Sequence, residues 1–201
     1  MQNTISGGKR VIINKTYQQT EYMDKWKTLA SEYLCRRPWM TVRKDTVELP
    51  NGVVNDEYYI LEYPTWVNVI AITREGKFVM VEQYRHGLQE IFTELVAGVA
   101  EAGETPLEAA KRELMEETGY DKGTWRLNMV VSANPGSQNN LSYSFIATDV
   151  EPVGEQHLDA TEDVAVKLLS RDELYAMLSE DRVKQALMAA PLWKFFATEK
   201  D

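Results

Sequence analysis

Three glutamates carry the chemistry that this sequence can be read for. Glu113, Glu116 and Glu117 fall at i, i+3 and i+4 within residues 98–120, GVAEAGETPLEAAKRELMEETGY. On a helix that spacing gathers all three side chains on one face. No lysine is interleaved among them, and like charges so placed cost a helix roughly 0.2–0.5 kcal/mol per pair. One reading is a solvated acidic face. The other is a site for a hard divalent cation, because Mg²⁺ and Mn²⁺ take oxygen ligands and bridge carboxylates to phosphates. The three residues alone do not choose between the two.

The surrounding residues say how such a helix would be held. Thr105 suits its N-cap, Pro106 fits the first turn, and Glu108 stands three residues after Thr105 to close a capping box. Gly119 suits the left-handed position just past the end. Leu107, Ala109, Ala110 and Leu114 form an apolar stripe at helical spacing. Before the helix, 66–73 reads as a buried strand, 74–77 as a tight turn, 78–84 as its hairpin partner, and 91–97 as a strand leading into the glycine-containing loop. After it come strands at 125–132, 141–150 and 164–169, with a polar loop at 134–140. Two helices follow at 171–178 and 182–198. A mixed sheet covered by helices is expected, an α+β architecture.

The N-terminal part reads separately. A short strand is expected at 10–13. Tyr22, Met23, Trp26, Leu29, Ala30 and Leu34 have helical spacing over 20–34, ended by Arg36-Arg37-Pro38. Strands at 40–48 and 57–63 flank a Pro50-Asn51-Gly52 turn and form a hairpin. The boundary is placed at Pro64, giving an N-terminal segment 1–63 and a main domain 64–201.

Composition narrows the classes. The chain has 201 residues, 44% hydrophobic and 26% charged, as a soluble globular protein does. Its net charge of −9 argues against nonspecific nucleic-acid binding. The charge is uneven: residues 1–50 sum to +4, a basic region that either receives phosphate or is simply solvated. No apolar run approaches the ~18 residues of a membrane span, and no signal-peptide pattern opens the chain. A single cysteine, Cys35, excludes an internal disulfide and fits a reducing compartment. A cytoplasmic protein without membrane or nucleic-acid partners is expected.

The full spacing goes further. Gly98, five residues, Glu104, seven residues, Arg112-Glu113-Leu114, one residue, Glu116-Glu117, one residue, then Gly119-Tyr120 resembles the Nudix box of the Nudix hydrolases at every fixed position. Weaker similarity runs from about Trp66 to Ser170. The resemblance implies an α/β/α sandwich around a mixed sheet, and hydrolysis of a nucleoside diphosphate linked to another group, by attack of water on phosphorus with Mg²⁺ or Mn²⁺ as cofactor. Glu113, Glu116 and Glu117 would then be metal ligands, with the Ala97 carbonyl as a further one. Glu116 also falls among the catalytic residues, with Arg112, which would hold the cluster by charge-assisted hydrogen bonds. Glu104 matches the remaining box glutamate, on the substrate side.

Outside the box, residues 81–85 (VEQYR) and 94–98 (ELVAG) resemble segments of the ADP-ribose and sugar-nucleotide pyrophosphatases. Arg85 would contact phosphate and Glu94 would line the substrate site. Pro135 stands where that subgroup carries proline. Two features depart from it: residues 137–140 lack the usual acidic residue, and Asn134 replaces a serine, so the substrate stays open while the chemistry does not. Glu162 matches a possible catalytic base. His86 and His157 lack metal-ligand spacing and read as ordinary surface residues.

The expected reaction is ADP-ribose to AMP and ribose 5-phosphate. Alternatives are GDP-mannose or another nucleotide sugar, or a ligand-binding sensor without turnover, which the intact box opposes. The apolar 40–63 hairpin must pack on something, and a homodimer is expected. Exchange of the hairpin would bring Trp39 or Arg43 near a partner's site.

Overall fold

A computed structural model of the chain describes residues 24–199. The strand expected at 10–13 and the start of the expected 20–34 helix lie outside those residues. The chain divides into two compact units, Met1–Glu32 with Lys44–Tyr58, and Tyr33–Arg43 with Tyr59–Asp201.

Three strands, β1 (Lys27–Arg37), β2 (Met40–Glu48) and β3 (Val54–Glu62), form a sheet in that order. The helix expected over 20–34 is therefore corrected: from Lys27 onward the segment is strand. Its helical spacing carried no information because no face of it is buried; β1 is exposed at every position but one. With no apolar face to bury, pairing with β2 decides the conformation. In the first unit, Ser31 donates to a buried Asp45 at 2.7 Å and Trp26 meets Tyr58 edge-on at 5.7 Å. Trp26, Leu29, Val53 and Val54 stay exposed there.

The second unit is built on a mixed, seven-stranded sheet. Its strands are β4 (Trp66–Thr73), β5 (Phe78–Arg85), β6 (Glu90–Val99), β7 (Tyr120–Asp121), β8 (Thr124–Val131), β9 (Ser142–Pro152) and β10 (Val164–Leu169). The order is β10-β5-β6-β4-β9-β7, with β8 also paired to β9. Only β4 and β9 run parallel among the paired neighbours. The helices are α1 (Pro106–Thr118), α2 (Arg171–Ser179) and α3 (Ala186–Thr198).

Alternation along β4 sorts the two faces. Val67, Val69 and Ala71 pack with Ala109, Ala110 and Leu114 of α1. Ile70 packs with Leu174 of α2 and Leu192 and Phe195 of α3. The expected sandwich of helices on both faces of a mixed sheet is present. The expected helix from 182 begins four residues later, at Ala186, and Val183 is buried in the lead-in. The polar 134–140 loop is pinned to the end of β3: Leu61 N donates to Ser137 O at 2.7 Å and Asn140 Nδ2 to Pro64 O at 2.9 Å. Among the described residues no helix is long and apolar enough to cross a membrane.

Candidate active site

The start and end of α1 fix its position. Thr105 Oγ1 accepts from Glu108 N at 3.3 Å, and Thr105 N donates to Glu108 Oε2 at 2.8 Å, the expected capping box. Gly119 ends the helix at φ 71°, left-handed as expected. A Cβ there would also lie 2.3 Å from Gly154 O, so no side chain fits.

With Ala109, Ala110 and Leu114 turned to the core, Glu113 and Glu117 are carried against the end of β6. Val99 N donates to Glu113 at 3.3 Å, and Ala97 N to Glu117 at 3.3 Å. Gly98 sits between them. A Cβ on Gly98 would come 2.0 Å from Glu113 Oε1. The box glycine is required here by the close approach of a carboxylate.

Arg112 gathers the rest. Its Nε and Nη2 donate to the two oxygens of Glu104 at 2.9 and 3.1 Å. Its Nη1 reaches Glu113 at 3.0 Å and Glu116 at 2.9 Å, and Nη2 also reaches Val99 O at 2.9 Å. The forked guanidinium suits this bidentate grip. These bonds hold the Glu104 carboxyl below its usual range and push Arg112 further above its own.

Glu117 is placed differently. Only 5% of it is exposed, and among the described residues its carboxylate bonds no cation. Burial, then the neighbouring Glu113 charge, raise its pKa from 4.5 to about 8; Glu162 adds to the rise, while the Ala97 N–H and the charge of Arg85 oppose it. Burial also raises Glu113, against the pull of Arg112. As they stand, no three acidic or histidine side chains converge as a ready metal cluster among the described residues; Arg112 occupies the space between Glu113 and Glu116. The donor set nevertheless fits a hard divalent ion. It offers carboxylate oxygens, two of them from residues buried without full charge compensation, which is where an added cation gains most.

Arg112, Glu113 and Glu116 line a cavity of about 490 Å³ together with Glu162, His157 and Trp39. Of the residues picked from the sequence, Ala97, Arg112, Glu113, Glu116 and Glu162 meet there. Glu117 lies just behind, and Glu104 joins through Arg112. Arg85 and Glu94 do not line this cavity; they pair with each other at 2.9 and 2.5 Å beside a neighbouring one, with Gln83 on Glu94 at 3.1 Å. His86 stands apart, against Tyr84.

Loops and a turn bring further residues to the site. His157, read as ordinary surface, enters on the 153–163 loop, whose His157 N donates to Glu116 O at 2.8 Å. Gln156 fastens that loop, donating to Glu117 O at 2.6 Å and Val164 O at 3.1 Å. Trp39, expected near a partner's site if the hairpin were exchanged, lines the cavity of its own chain, and Arg43 pairs with Glu62. No spacing rule signals Trp39, Gln156 or His157, because a turn and a loop deliver them.

The fold and the carboxylate cavity together define a class, and sequence comparison agrees with it. Residues 63–190 match the NUDIX domain, and the chain belongs to the Nudix family. Ahead of that domain, residues 26–61 match the nucleoside diphosphate sugar hydrolase N-terminal domain. The chain is 35% identical over 158 residues to a methanol dehydrogenase activator of Bacillus methanolicus, covering 78% of this chain and 85% of that one. It is 32% identical over 164 residues to an ADP-ribose pyrophosphatase of Bacillus subtilis, covering 81% and 88%. The crystal structure of an ADP compounds hydrolase superposes with a TM-score of 0.77 at 22% identity, over 89% of this chain and 96% of that one, which shows the shared fold. The family and the hydrolase class expected from the box agree with these findings.

Proposed function

We propose that the chain is a divalent-metal-dependent pyrophosphatase that hydrolyses ADP-ribose to AMP and ribose 5-phosphate. The observation that carries this is Glu117, buried without a bonded cation among the described residues, just behind a cavity lined by Arg112, Glu113, Glu116 and Glu162. Glu113, Glu116, Glu117 and the Ala97 carbonyl would hold Mg²⁺ or Mn²⁺, which neutralises phosphate oxygens and acidifies the attacking water when bound. Glu162, exposed in the cavity, takes the proton as the water oxygen bonds to phosphorus and the P–O–P anhydride breaks. Arg112 keeps Glu104, Glu113 and Glu116 in place. Arg85, held by Glu94, offers its guanidinium to the far phosphate.

The substrate assignment is supported by the ADP-ribose pyrophosphatase relatives and by the nucleoside diphosphate sugar hydrolase match at 26–61. That match is broader than ADP-ribose and keeps GDP-mannose and other nucleotide sugars as the second reading. A panel of nucleotide sugars with Mg²⁺, analysed for products, separates them. ADP-ribose is expected to give AMP and ribose 5-phosphate; inorganic phosphate as first product would contradict cleavage at the anhydride.

The reading extends to assembly and setting. Segment 1–63 serves as a dimerisation element ahead of the 64–201 hydrolase domain, and the exposed Trp26, Leu29, Val53 and Val54 are the apolar surface for it. Light scattering at micromolar concentration should give twice 23.0 kDa; a fully active monomer would refute it. The lone Cys35 suits a cytoplasmic setting.

A further inference from the structure

A second cavity, of about 200 Å³, opens between the sheet and the start of α3. Ala97, Gly98 and Val99 line both it and the carboxylate cavity, so the two share one strand end. Inside stand Trp66, Asn68 and Ser142; at its mouth are Arg85, Gln185 and Leu187.

Three observations make it more than a packing gap. Asn68 is 2% exposed, and its Nδ2 donates to Leu187 O at 3.0 Å, yet its Oδ1 has no hydrogen-bond partner among the described residues. A buried acceptor left unpaired costs about 1–3 kcal/mol, so this oxygen points to a donor that is brought in. Second, α3 begins without a side-chain cap. Gln185 makes no capping bond, while Met188 N and Ala189 N are already taken by its carbonyl. The first free N–H groups of the helix therefore face the mouth, where anions are favoured. Third, Arg85 is spent on Glu94 through Nε and Nη2 only and stays 41% exposed. Lys184 stands beside it on the adjoining cavity.

The inside thus asks for a hydroxyl or amide donor and carries no ionised group, while the mouth is cationic. We propose that this cavity is a subsite for a sugar phosphate, the hydroxyls reaching Asn68 Oδ1 and Ser142 and the phosphate resting between Arg85 and the start of α3. It receives the sugar-linked half of the substrate, while the nucleotide half stays on the carboxylate side. This identity of the ligand rests on the nucleotide-sugar reading above; the unpaired oxygen and the uncapped helix do not.

Calorimetric titration of ribose 5-phosphate, with AMP as control, tests it on the full chain. Asn68→Leu and Gln185→Asp should each bind ribose 5-phosphate about three- to tenfold more weakly, the first by losing one hydrogen bond and the second because a carboxylate at the helix start takes up the free N–H groups and repels the phosphate, and both should bind AMP as the wild type does. Gln185 is exposed, so its variant carries the test should Asn68→Leu fail to fold. No binding of ribose 5-phosphate to the wild type, unchanged affinity in Gln185→Asp, or a loss confined to AMP would each overturn the subsite. A wild type that binds ribose 5-phosphate in this variant-sensitive way but leaves ADP-ribose uncut would sink the pyrophosphatase reading and leave the subsite standing.

Discussion

Glu104 and Glu117 belong to the same short motif and meet opposite fates. Glu104 is half-buried and is gripped by both arms of Arg112, and its pKa falls. Glu117 lies one helix face away, buried, with a backbone N–H as its one bonded partner, and its pKa climbs to about 8. The protein spends its nearby arginine on Glu104, Glu113 and Glu116 and leaves the most deeply buried of the four carboxylates uncompensated. Burying an unpaired carboxylate is tolerated only where something else is gained. A divalent cation is the gain this arrangement fits, and perturbed groups of this kind gather at functional sites.

Removing the buried charge should break the contrast most severely. Glu117→Gln keeps the shape and deletes a ligand, and should lower ADP-ribose turnover at saturating Mg²⁺ by more than about a hundredfold, since even outer-shell changes cost tenfold to a hundredfold. Near-normal turnover would show that Glu117 is not a ligand. Next in size is Gly98→Ala. Its Cβ would stand 2.0 Å from Glu113 Oε1, so Glu113 must leave its place, and activity should drop at least about tenfold. An unaffected rate would mean that the Glu113 position does not matter.

The pH dependence of stability sharpens the same contrast without any substrate. Without metal, Glu117 keeps its proton in the folded chain up to about 8, whereas the unfolded chain loses it near 4.5. The folded pKa is the raised one, so this contribution is full below pH 4.5 and is lost as pH rises to 8. Glu117→Gln mimics the protonated form and should gain on the wild type through that window, by at most about 4–5 kcal/mol, and hold a constant advantage above it. Unfolding followed at several pH values in chelator is the check; a pH-independent difference between the two proteins would remove the burial argument.

Much of this was legible from residue types, for identifiable reasons. The box helix declares both ends through Thr105, Pro106, Glu108 and Gly119, so its limits follow from local chemistry. β4 and β10 are apolar runs bounded by turn residues, and were read at their true limits. Residues 27–34 misled because helical spacing means nothing on a segment that buries no face. The start of α3 was read too early because Val183, buried, continues the apolar pattern through residues that are not helical. In the site, the glutamates and Arg112 share one helix and could be grouped by spacing. Trp39, Gln156 and His157 could not, since a turn and a loop bring them in from far along the chain. The depth of Glu117 against the half-buried position of Glu104 is equally hidden, because it depends on which way the helix rolls on the sheet.

Binding of Mn²⁺ in the absence of substrate, followed by the loss of its free electron paramagnetic resonance signal, puts the contrast to the most direct test. Wild type and Glu104→Gln should bind the ion with affinities within about threefold of each other, since Arg112 keeps its bonds to Glu113, Glu116 and Val99 O without Glu104. Glu117→Gln should bind it at least about tenfold more weakly. Equal binding by Glu117→Gln and the wild type would contradict the account.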